Sequence, residues 1–332
     1  MKINGEEALE FLEERLSSVA LADYPRQSRV HRLNTFDLSG VTTYVKREDE
    51  LGFGISGTKV RKYLSLLPSL CSQKPQEVIL IGGPFSNHIL GMVQLLRENA
   101  IEPILFLRGE PPSALRGNFL FTSWMSNPEN IHWIKREENI EVAAETYLMK
   151  RRAEGAKILL VPEGGSSPEA LPGLLTLACD IIRNEKGLSL AFDHIFIDAG
   201  TGMAASVLIL VLSWLQKCTQ VHVLLLAGNQ EEFRQRLEMD KLLLEAFLKQ
   251  SLPSPTSYNL YLPQNAPSFG SVNAQVKANI RFIAEAEGIL TDPIYSAKLF
   301  DEGKKILASS RIQGNVLFIH SGGALTLSGF FS

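Results

Sequence analysis

The chain has 332 residues, 45% hydrophobic and 21% charged, which is the balance of a globular protein and about twice the length of one domain of roughly 150 residues. Two domains or subdomains are therefore expected. The 33 basic and 36 acidic residues give a net charge of −3, and no basic block runs along the chain, so the composition argues against nucleic acid or a membrane surface as a partner.

Strand-like and helix-like segments alternate along the chain. Runs rich in Val, Ile and Leu predict strands at 78–81, 104–107, 157–161, 194–197, 221–226, 259–262 and 316–319. Helices are predicted at 87–99, 140–154, 170–184, 231–249 and 272–286. Strands so continuously apolar are covered by helices on both faces, and the alternation indicates right-handed βαβ units. The predicted fold class is α/β with parallel sheets.

Three other stretches bear on location and architecture. The uncharged run 199–215 is short for a bilayer span of about 20 residues, so it is predicted to be a buried helix. The acidic N-terminus lacks the apolar core of a signal peptide, and three scattered cysteines fit a reducing cytosol, so a cytoplasmic protein is expected. The proline-rich stretch 251–270 is predicted to be a packed loop near a site.

Four glycine-containing loops follow predicted strands. In open α/β sheets, ligands bind beyond the carboxyl ends of strands, where glycines let the backbone approach and helix N-termini attract anions. The loops are predicted to line one cleft, and they lie at 81–88, 162–167, 198–205 and 319–323.

The loop at 200–205 carries the clearest anion signal. Its backbone N–H groups and the Thr201 hydroxyl suit a single phosphate, although tight helix–strand packing would use the same glycines. No acidic residue ends the following strand, which argues against a nicotinamide dinucleotide. The six histidines show no close ligand spacing, so no metal site is predicted.

A cluster of charges precedes the first glycine loop. Lys46-Arg47-Glu48-Asp49 and the segment 57–62 would, on composition alone, form a solvated charge cluster. Lys59 and Lys62, however, stand at the glycine-marked start of an otherwise apolar helix, which favours a functional role for them.

The stretch KREDELGFGISGTKVRKYL resembles the KRED…G(G)NKxRKLE segment of the pyridoxal-phosphate enzymes related to 1-aminocyclopropane-1-carboxylate (ACC) deaminase and D-cysteine desulfhydrase. Further matches follow in the family's order: GGPFSNH, the RGN at 116–118, PEGGSSPEALPGL, EGILTDPIYSAK and NVLFIHSGG. The motifs span 46–323. The resemblance implies the fold of the tryptophan synthase β subunit, that is, two three-layer α/β lobes with parallel sheets.

The resemblance also implies roles for residues. Lys59 matches the lysine that forms the Schiff base with pyridoxal phosphate and then serves as a base near the substrate Cα. The positions that match cofactor-binding residues are Lys62, Asn87, Gly200, Thr201, Gly202, Met203 and Ser321, with Ser321 at the pyridine nitrogen. The positions that match catalytic or substrate-binding residues are Tyr295, Ser86, Asn87, His88 and Phe269.

Some of these positions have simpler interpretations. Ser86 and Asn87 fit an ordinary helix N-cap, which is compatible with a functional role. His88 fits a hydrogen-bonded helix histidine, and Tyr295 fits a packed aromatic residue.

Two hydroxyls favour one reaction of the family over the other. ACC deaminases of the family have Glu directly after the catalytic Tyr, whereas Ser296 stands there and Ser321 stands in IHSGG. A carboxylate would hold the pyridine nitrogen protonated and a hydroxyl would not. Together with His88, this favours D-cysteine desulfhydrase, which releases pyruvate, ammonia and sulfide. ACC deaminase or another lyase of β-substituted amino acids is the alternative.

The chain also departs from the family pattern. Thr58 replaces Asn before the lysine, Phe85 replaces Gln before Ser86, and Phe269 replaces the Tyr of GYG. The phosphate loop reads AGTGMAA in place of SGGTHAG. These departures raise the alternative of a catalytically degenerate protein that still binds the cofactor.

The resemblance implies a division of the chain as well. The small domain is expected at 62–160 and the discontinuous large, cofactor-binding domain at 1–61 and 161–332. The resemblance further implies a small amino acid as substrate and a homodimer.

Overall fold

The computed structural model describes residues 5–21, 23–52, 57–255 and 257–331; residues 53–56 of the KRED stretch lie outside them. The strands of the described chain are β1 (Val30–Arg32), β2 (Val41–Lys46), β3 (Glu77–Gly82), β4 (Glu102–Arg108), β5 (Ile131–Ile134), β6 (Ile158–Val161), β7 (His194–Ala199), β8 (Gln220–Leu225), β9 (Tyr258–Tyr261) and β10 (Gly314–Ile319). The helices are α1 (Gly5–Ser17), α2 (Thr58–Ser72), α3 (Asn87–Glu98), α4 (Gly117–Met125), α5 (Ile140–Ala153), α6 (Leu171–Leu188), α7 (Met203–Trp214), α8 (Gln230–Leu248), α9 (Ala274–Glu287) and α10 (Ser296–Ser309).

The strands form two sheets. The larger has the order β1-β2-β10-β7-β8-β9, and the smaller has the order β5-β4-β3-β6. Every pair is parallel except β1 with β2, which is antiparallel. The α/β class with parallel sheets is therefore confirmed, with β1 as an antiparallel edge strand that the sequence did not predict.

Both sheets are covered on both faces, as the continuously apolar strands predicted. Along β7, Ile195 and Ile197 pack in the largest core cluster, whereas Phe196 packs in a second cluster on the opposite face. Along β3, Val78 and Leu80 belong to the same largest cluster, and Ile79 packs on the other side. Because side chains alternate along a strand, each sheet needs two helical layers to bury them.

The predicted buried helix corresponds to α7. It is apolar on all sides, and Val207 and Leu210 are excluded from solvent. Nowhere in the described chain does a helix combine the length and apolar character that crossing a bilayer requires. The N-terminus of α7 lies at the end of the loop that follows β7, so the first backbone N–H groups of α7 point toward that loop.

The interpretation of the KRED segment as a solvated charge cluster is wrong. Lys46 and Glu48 are 0% exposed, and they join Arg61 of α2 and Asp180 of α6 in one buried network. Arg61 Nη2 lies 2.7 Å from a Glu48 oxygen and 2.8 Å from Asp180 Oδ2, and Lys46 Nζ lies 2.5 Å from the same Asp180 atom. Paired in this way, the charges can be buried, and they fix the start of α2.

Candidate active site

A cavity opens at the carboxyl ends of β3, β7 and β10, and it adjoins a wider cleft. The cavity is lined by residues that include Thr58, Lys59, Lys62, Asn87, Asp198, Gly200, Thr201, Gly202, Tyr295 and Ser321. The wider cleft adds Ser86, His88, Glu163, Gly164 and Phe269. All four glycine loops that the sequence singled out contribute lining residues, since parallel strands end at a common edge.

Lys59 lies on the first turn of α2 and faces both the cavity and the cleft. The helix begins against the loop after β10, where the Thr58 N–H donates to the Ser321 carbonyl at 3.1 Å. Gly57, with φ +76°, makes this approach possible, because a Cβ there would lie 1.8 Å from that carbonyl oxygen. Burial lowers the pKa of the Lys59 amine, so more of it is neutral and nucleophilic than in a free lysine.

The glycine loop between β7 and α7 forms a donor-rich end of the cavity. Lys62 Nζ donates to the Gly164 carbonyl at 2.9 Å and to the Thr201 hydroxyl at 3.2 Å. Gly202 has φ +80° and caps α7, which turns the helix N-terminus toward the loop. Met203 is the exception among the predicted loop residues, because its side chain is buried in the core and does not line the cavity.

Asn87 is held in one orientation by two neighbours. Asn118 Nδ2 donates to Asn87 Oδ1 at 2.7 Å, and the Thr326 hydroxyl donates to the same oxygen at 3.1 Å. With its oxygen engaged as an acceptor, Asn87 presents its amide N–H groups as donors at the cavity wall. Asn118 is 0% exposed, and its positioning role was not recognised in the sequence, although it lies in the RGN motif.

Ser86 and His88 lie at the start of α3, on the cleft. Ser86 is the N-cap: its hydroxyl accepts from the His88 N–H at 3.2 Å and the Ile89 N–H at 3.3 Å. His88 contacts the Tyr63 hydroxyl through Nδ1 at 3.1 Å, and its buried Nε2 has no partner among the described residues. Burial lowers the pKa of His88 well below its usual value, so its imidazole is neutral.

Tyr295 lies beside the glycine loop. A Cβ on Gly200 would come within 3.1 Å of the Tyr295 ring, so the two are in close contact. Burial raises the pKa of the Tyr295 hydroxyl, which therefore stays protonated and can donate. The next residue, Ser296, turns away from the cavity: its hydroxyl donates to Asp292 Oδ1 at 2.9 Å and so helps to cap α10.

The mouth of the cleft is aromatic. Phe269 is 58% exposed, and its ring centroid lies 6.0 Å from that of Tyr295. Lys298 Nζ donates to the Ala266 carbonyl at 2.6 Å and so ties down the loop that carries Phe269. Phe85 lines the same cleft. Two of the three departures from the family motifs thus line the cleft, where both replace a polar side chain by an apolar ring.

Asp198 is a cavity residue that the sequence analysis did not identify. It is the last residue but one of β7, and burial raises its pKa to about 7, while a hydrogen bond from the Ser321 hydroxyl opposes that rise. Its Oδ1 has no hydrogen-bond partner among the described residues. The signal in the sequence was an acidic residue at the end of an otherwise apolar strand, directly before a glycine loop.

Comparison with known proteins agrees with this arrangement. A protein of Pyrococcus abyssi (strain GE5 / Orsay) named "Putative 1-aminocyclopropane-1-carboxylate deaminase" is 29% identical over 288 residues, which cover 86% of this chain and 85% of that protein. The "Bifunctional D-cysteine desulfhydrase/1-aminocyclopropane-1-carboxylate deaminase, mitochondrial" of Arabidopsis thaliana is 28% identical over 316 residues, which cover 90% and 76%. No family model matches the chain.

A solved structure of an ACC deaminase homologue superposes with a TM-score of 0.84, at 25% identity and over 96% of both chains. The resemblance that the motifs indicated and the expected fold are therefore confirmed. Relatives of both names match, so the comparisons support a lyase of this kind without separating the two substrates.

Proposed function

We propose that this chain is a pyridoxal-phosphate-dependent lyase of small amino acids, with D-cysteine as its preferred substrate. Pyridoxal phosphate is the cofactor that the relatives support. The observation that carries the proposal is a single cavity with a half-buried amine of lowered pKa, Lys59, and a glycine loop backed by Lys62. An amine for an aldehyde and a donor-rich loop for a phosphate are the two features that this cofactor requires.

The donors and acceptors along the cavity fit the group. Unpartnered buried oxygens, Thr58 Oγ1 and Asp198 Oδ1, lie on its walls, as expected of atoms that a polar ring would satisfy. Thr201 and the N–H groups at the start of α7 would hold the phosphate, together with Lys62. Asn87 would donate to the ring's 3′-oxygen.

The remaining residues supply proton transfer and orientation. When bound, the cofactor withdraws electrons from the substrate Cα. Lys59, whose pKa is lowered by burial, accepts the Cα proton. The Ser86 hydroxyl and the α3 N-terminus bind the substrate carboxylate, with His88 beside them. Tyr295, kept protonated, donates to the departing sulfur. Overall, D-cysteine and water give pyruvate, ammonia and hydrogen sulfide.

The substrate preference rests on position 296 and on His88. Position 296, where the family's deaminases have Glu, is a serine turned toward Asp292, and His88 of the SNH motif lies on the cleft. ACC deamination, or elimination from another β-substituted amino acid, is the alternative within the same class.

Reconstitution of the purified protein tests the proposal. We expect added pyridoxal phosphate to produce a visible absorbance band, and borohydride to fix the cofactor on a peptide that contains Lys59. D-cysteine should then release pyruvate and sulfide, whereas ACC should release little 2-oxobutyrate. Absence of the band and of a labelled Lys59 peptide would refute the cofactor assignment. Faster turnover of ACC would refute the substrate preference alone.

A second candidate function is cofactor binding without turnover. Thr58, Phe85 and Phe269, the three departures from the motifs, all line the cavity or the cleft. Phe269 lies against Tyr295 and lacks the hydroxyl that the family has there, which removes one acid–base group.

We expect Phe269→Tyr to raise kcat on D-cysteine by about tenfold or more, because it restores a hydroxyl beside Tyr295. Steady-state assays of sulfide release measure the effect, with Phe282→Tyr, an exposed ring on α9, as the matched control. Turnover that appears only in the variant would favour the binding protein. A wild type that is already fast would exclude it.

The proposal also covers the domain division, the oligomeric state and the cellular compartment. Residues 62–160 would form the small domain, and 1–61 with 161–332 the large one. The chain would act as a homodimer. Its cysteines, Cys71, Cys179 and Cys218, are free thiols, and the cytoplasm is the compartment that we propose.

A further inference from the structure

The cavity contains a carboxylate that the motifs do not account for. Asp198 lies at the carboxyl end of β7, two residues before Gly200, and it lines the cavity with Lys59 and Ser321. Carboxylates are rarely placed in such an enclosed position without a partner. Asp198 Oδ1 has no hydrogen-bond partner in the described parts of the chain.

The bond between Ser321 and Asp198 determines what the serine can offer to a ligand. A hydroxyl has one proton to donate and two lone pairs with which to accept. A Ser321 hydroxyl that donates its proton to Asp198 leaves its oxygen as an acceptor toward the cavity. A free serine hydroxyl would instead donate to an unprotonated nitrogen. The carboxylate therefore reverses the polarity of the group at this position.

Donors and acceptors are also separated along the cavity. The Lys62 amine donates to Thr201 of the glycine loop, whereas the Asp198 carboxyl group lies on the cavity wall with Lys59 and Ser321. Such a cavity is complementary to a flat molecule that carries an anion at one end and a protonated nitrogen elsewhere on its ring. Burial raises the pKa of Asp198 to about 7, which favours sharing a proton with a weakly basic nitrogen near neutral pH.

We propose that Asp198, acting directly and through Ser321, holds the ring nitrogen of bound pyridoxal phosphate in its protonated form. This inference rests on the proposed function, because it takes that cofactor as the ligand. The proton moves from solvent to the ring nitrogen, and the carboxylate balances the resulting positive charge. A protonated ring withdraws electrons more strongly, so the serine at position 321 does not imply a weak electron sink in this protein.

The protonation state can be read directly from the ¹⁵N chemical shift of cofactor labelled at the ring nitrogen. We expect the wild type to show the shift of a protonated pyridine ring, and Asp198→Asn to move it toward the unprotonated range. The matched control is Asp193→Asn, the same change directly before the start of β7. The Asp193 carboxylate accepts from the Asn315 N–H at 2.8 Å, outside the cavity, so the ¹⁵N shift of this variant should match that of the wild type. An unprotonated ring in the wild type, or an unchanged shift in Asp198→Asn, would overturn the inference.

A measurement on the unaltered protein covers the case in which Asp198→Asn does not fold. A cofactor analogue with C–H in place of the ring nitrogen cannot form a hydrogen bond with the carboxylate. The wild type should therefore bind this analogue at least about tenfold more weakly than pyridoxal phosphate, since one charge-assisted hydrogen bond is lost. Equal affinities would overturn the inference. If borohydride fixes cofactor at Lys59 while these tests fail, only the role of Asp198 is refuted; if no cofactor is fixed, both proposals fail.

Discussion

Replacing Lys59 by alanine is expected to abolish turnover while leaving a protein that still binds pyridoxal phosphate. We expect kcat to fall by about 10³-fold or more, since the change removes both the amine that joins the aldehyde and the base near Cα. Binding persists because the glycine loop, Lys62 and Thr201 are untouched. The measurements are sulfide release, and mass spectrometry of the borohydride-treated protein, which should show no fixed cofactor.

Lys62→Ala is the matched control on the same helix. It removes a hydrogen-bond donor to the glycine loop and leaves Lys59 in place. Borohydride should therefore still fix cofactor, and the apparent dissociation constant should rise about tenfold. The two variants thus differ in the property they lose: Lys59→Ala loses cofactor fixation and turnover, and Lys62→Ala loses binding affinity. The assignment of Lys59 as the amine that joins the cofactor would be contradicted by either of two results with Lys59→Ala: cofactor fixed to Lys62, or an unaltered kcat.

The parts of the fold that were predictable from the sequence are those in which local pattern is sufficient. Strands such as β3 and β8 are nearly continuous in apolar residues, and each is followed by a helix with its own periodicity, so the parallel α/β class followed. Three strands were missed: the edge strands β1 and β5 have only three and four residues, and the interior strand β2 (VTTYVK) is not a continuous run of Val, Ile and Leu. Their pairing depends on neighbours elsewhere in the chain.

The site was predictable in its loops and less so in its electrostatics. Glycines and the Lys59 motif are local signals, and the loops that carry them do meet at one cavity. Asp198 becomes informative only when it meets Ser321, which lies 123 positions later, and Lys46 only when it meets Asp180. Whether a charged residue is solvated or buried is decided by such distant partners, which composition does not reveal.

Glu48→Gln is expected to lower the free energy of unfolding by about 3 kcal/mol, because it leaves the buried guanidinium of Arg61 without one of its two carboxylates. The same change loosens the start of α2, which carries Lys59. Urea denaturation of the cofactor-free protein measures the loss. Glu50→Gln, two residues later, is the matched control: Glu50 pairs with Arg29 at a partly exposed site, so we expect about 1 kcal/mol or less.

The pH dependence of this difference checks its electrostatic origin. Burial alone would raise the pKa of Glu48, but Arg61 and then Lys46 hold that pKa below the usual 4.5. A carboxylate with a lowered folded-state pKa stabilises the protein above its unfolded pKa, and this contribution is lost as the pH falls through the folded value. The free energy of unfolding of the wild type should therefore exceed that of Glu48→Gln at about pH 6 to 8. This difference between the two proteins should narrow below about pH 4. A gap that is independent of pH would indicate a packing defect instead of a broken ion pair.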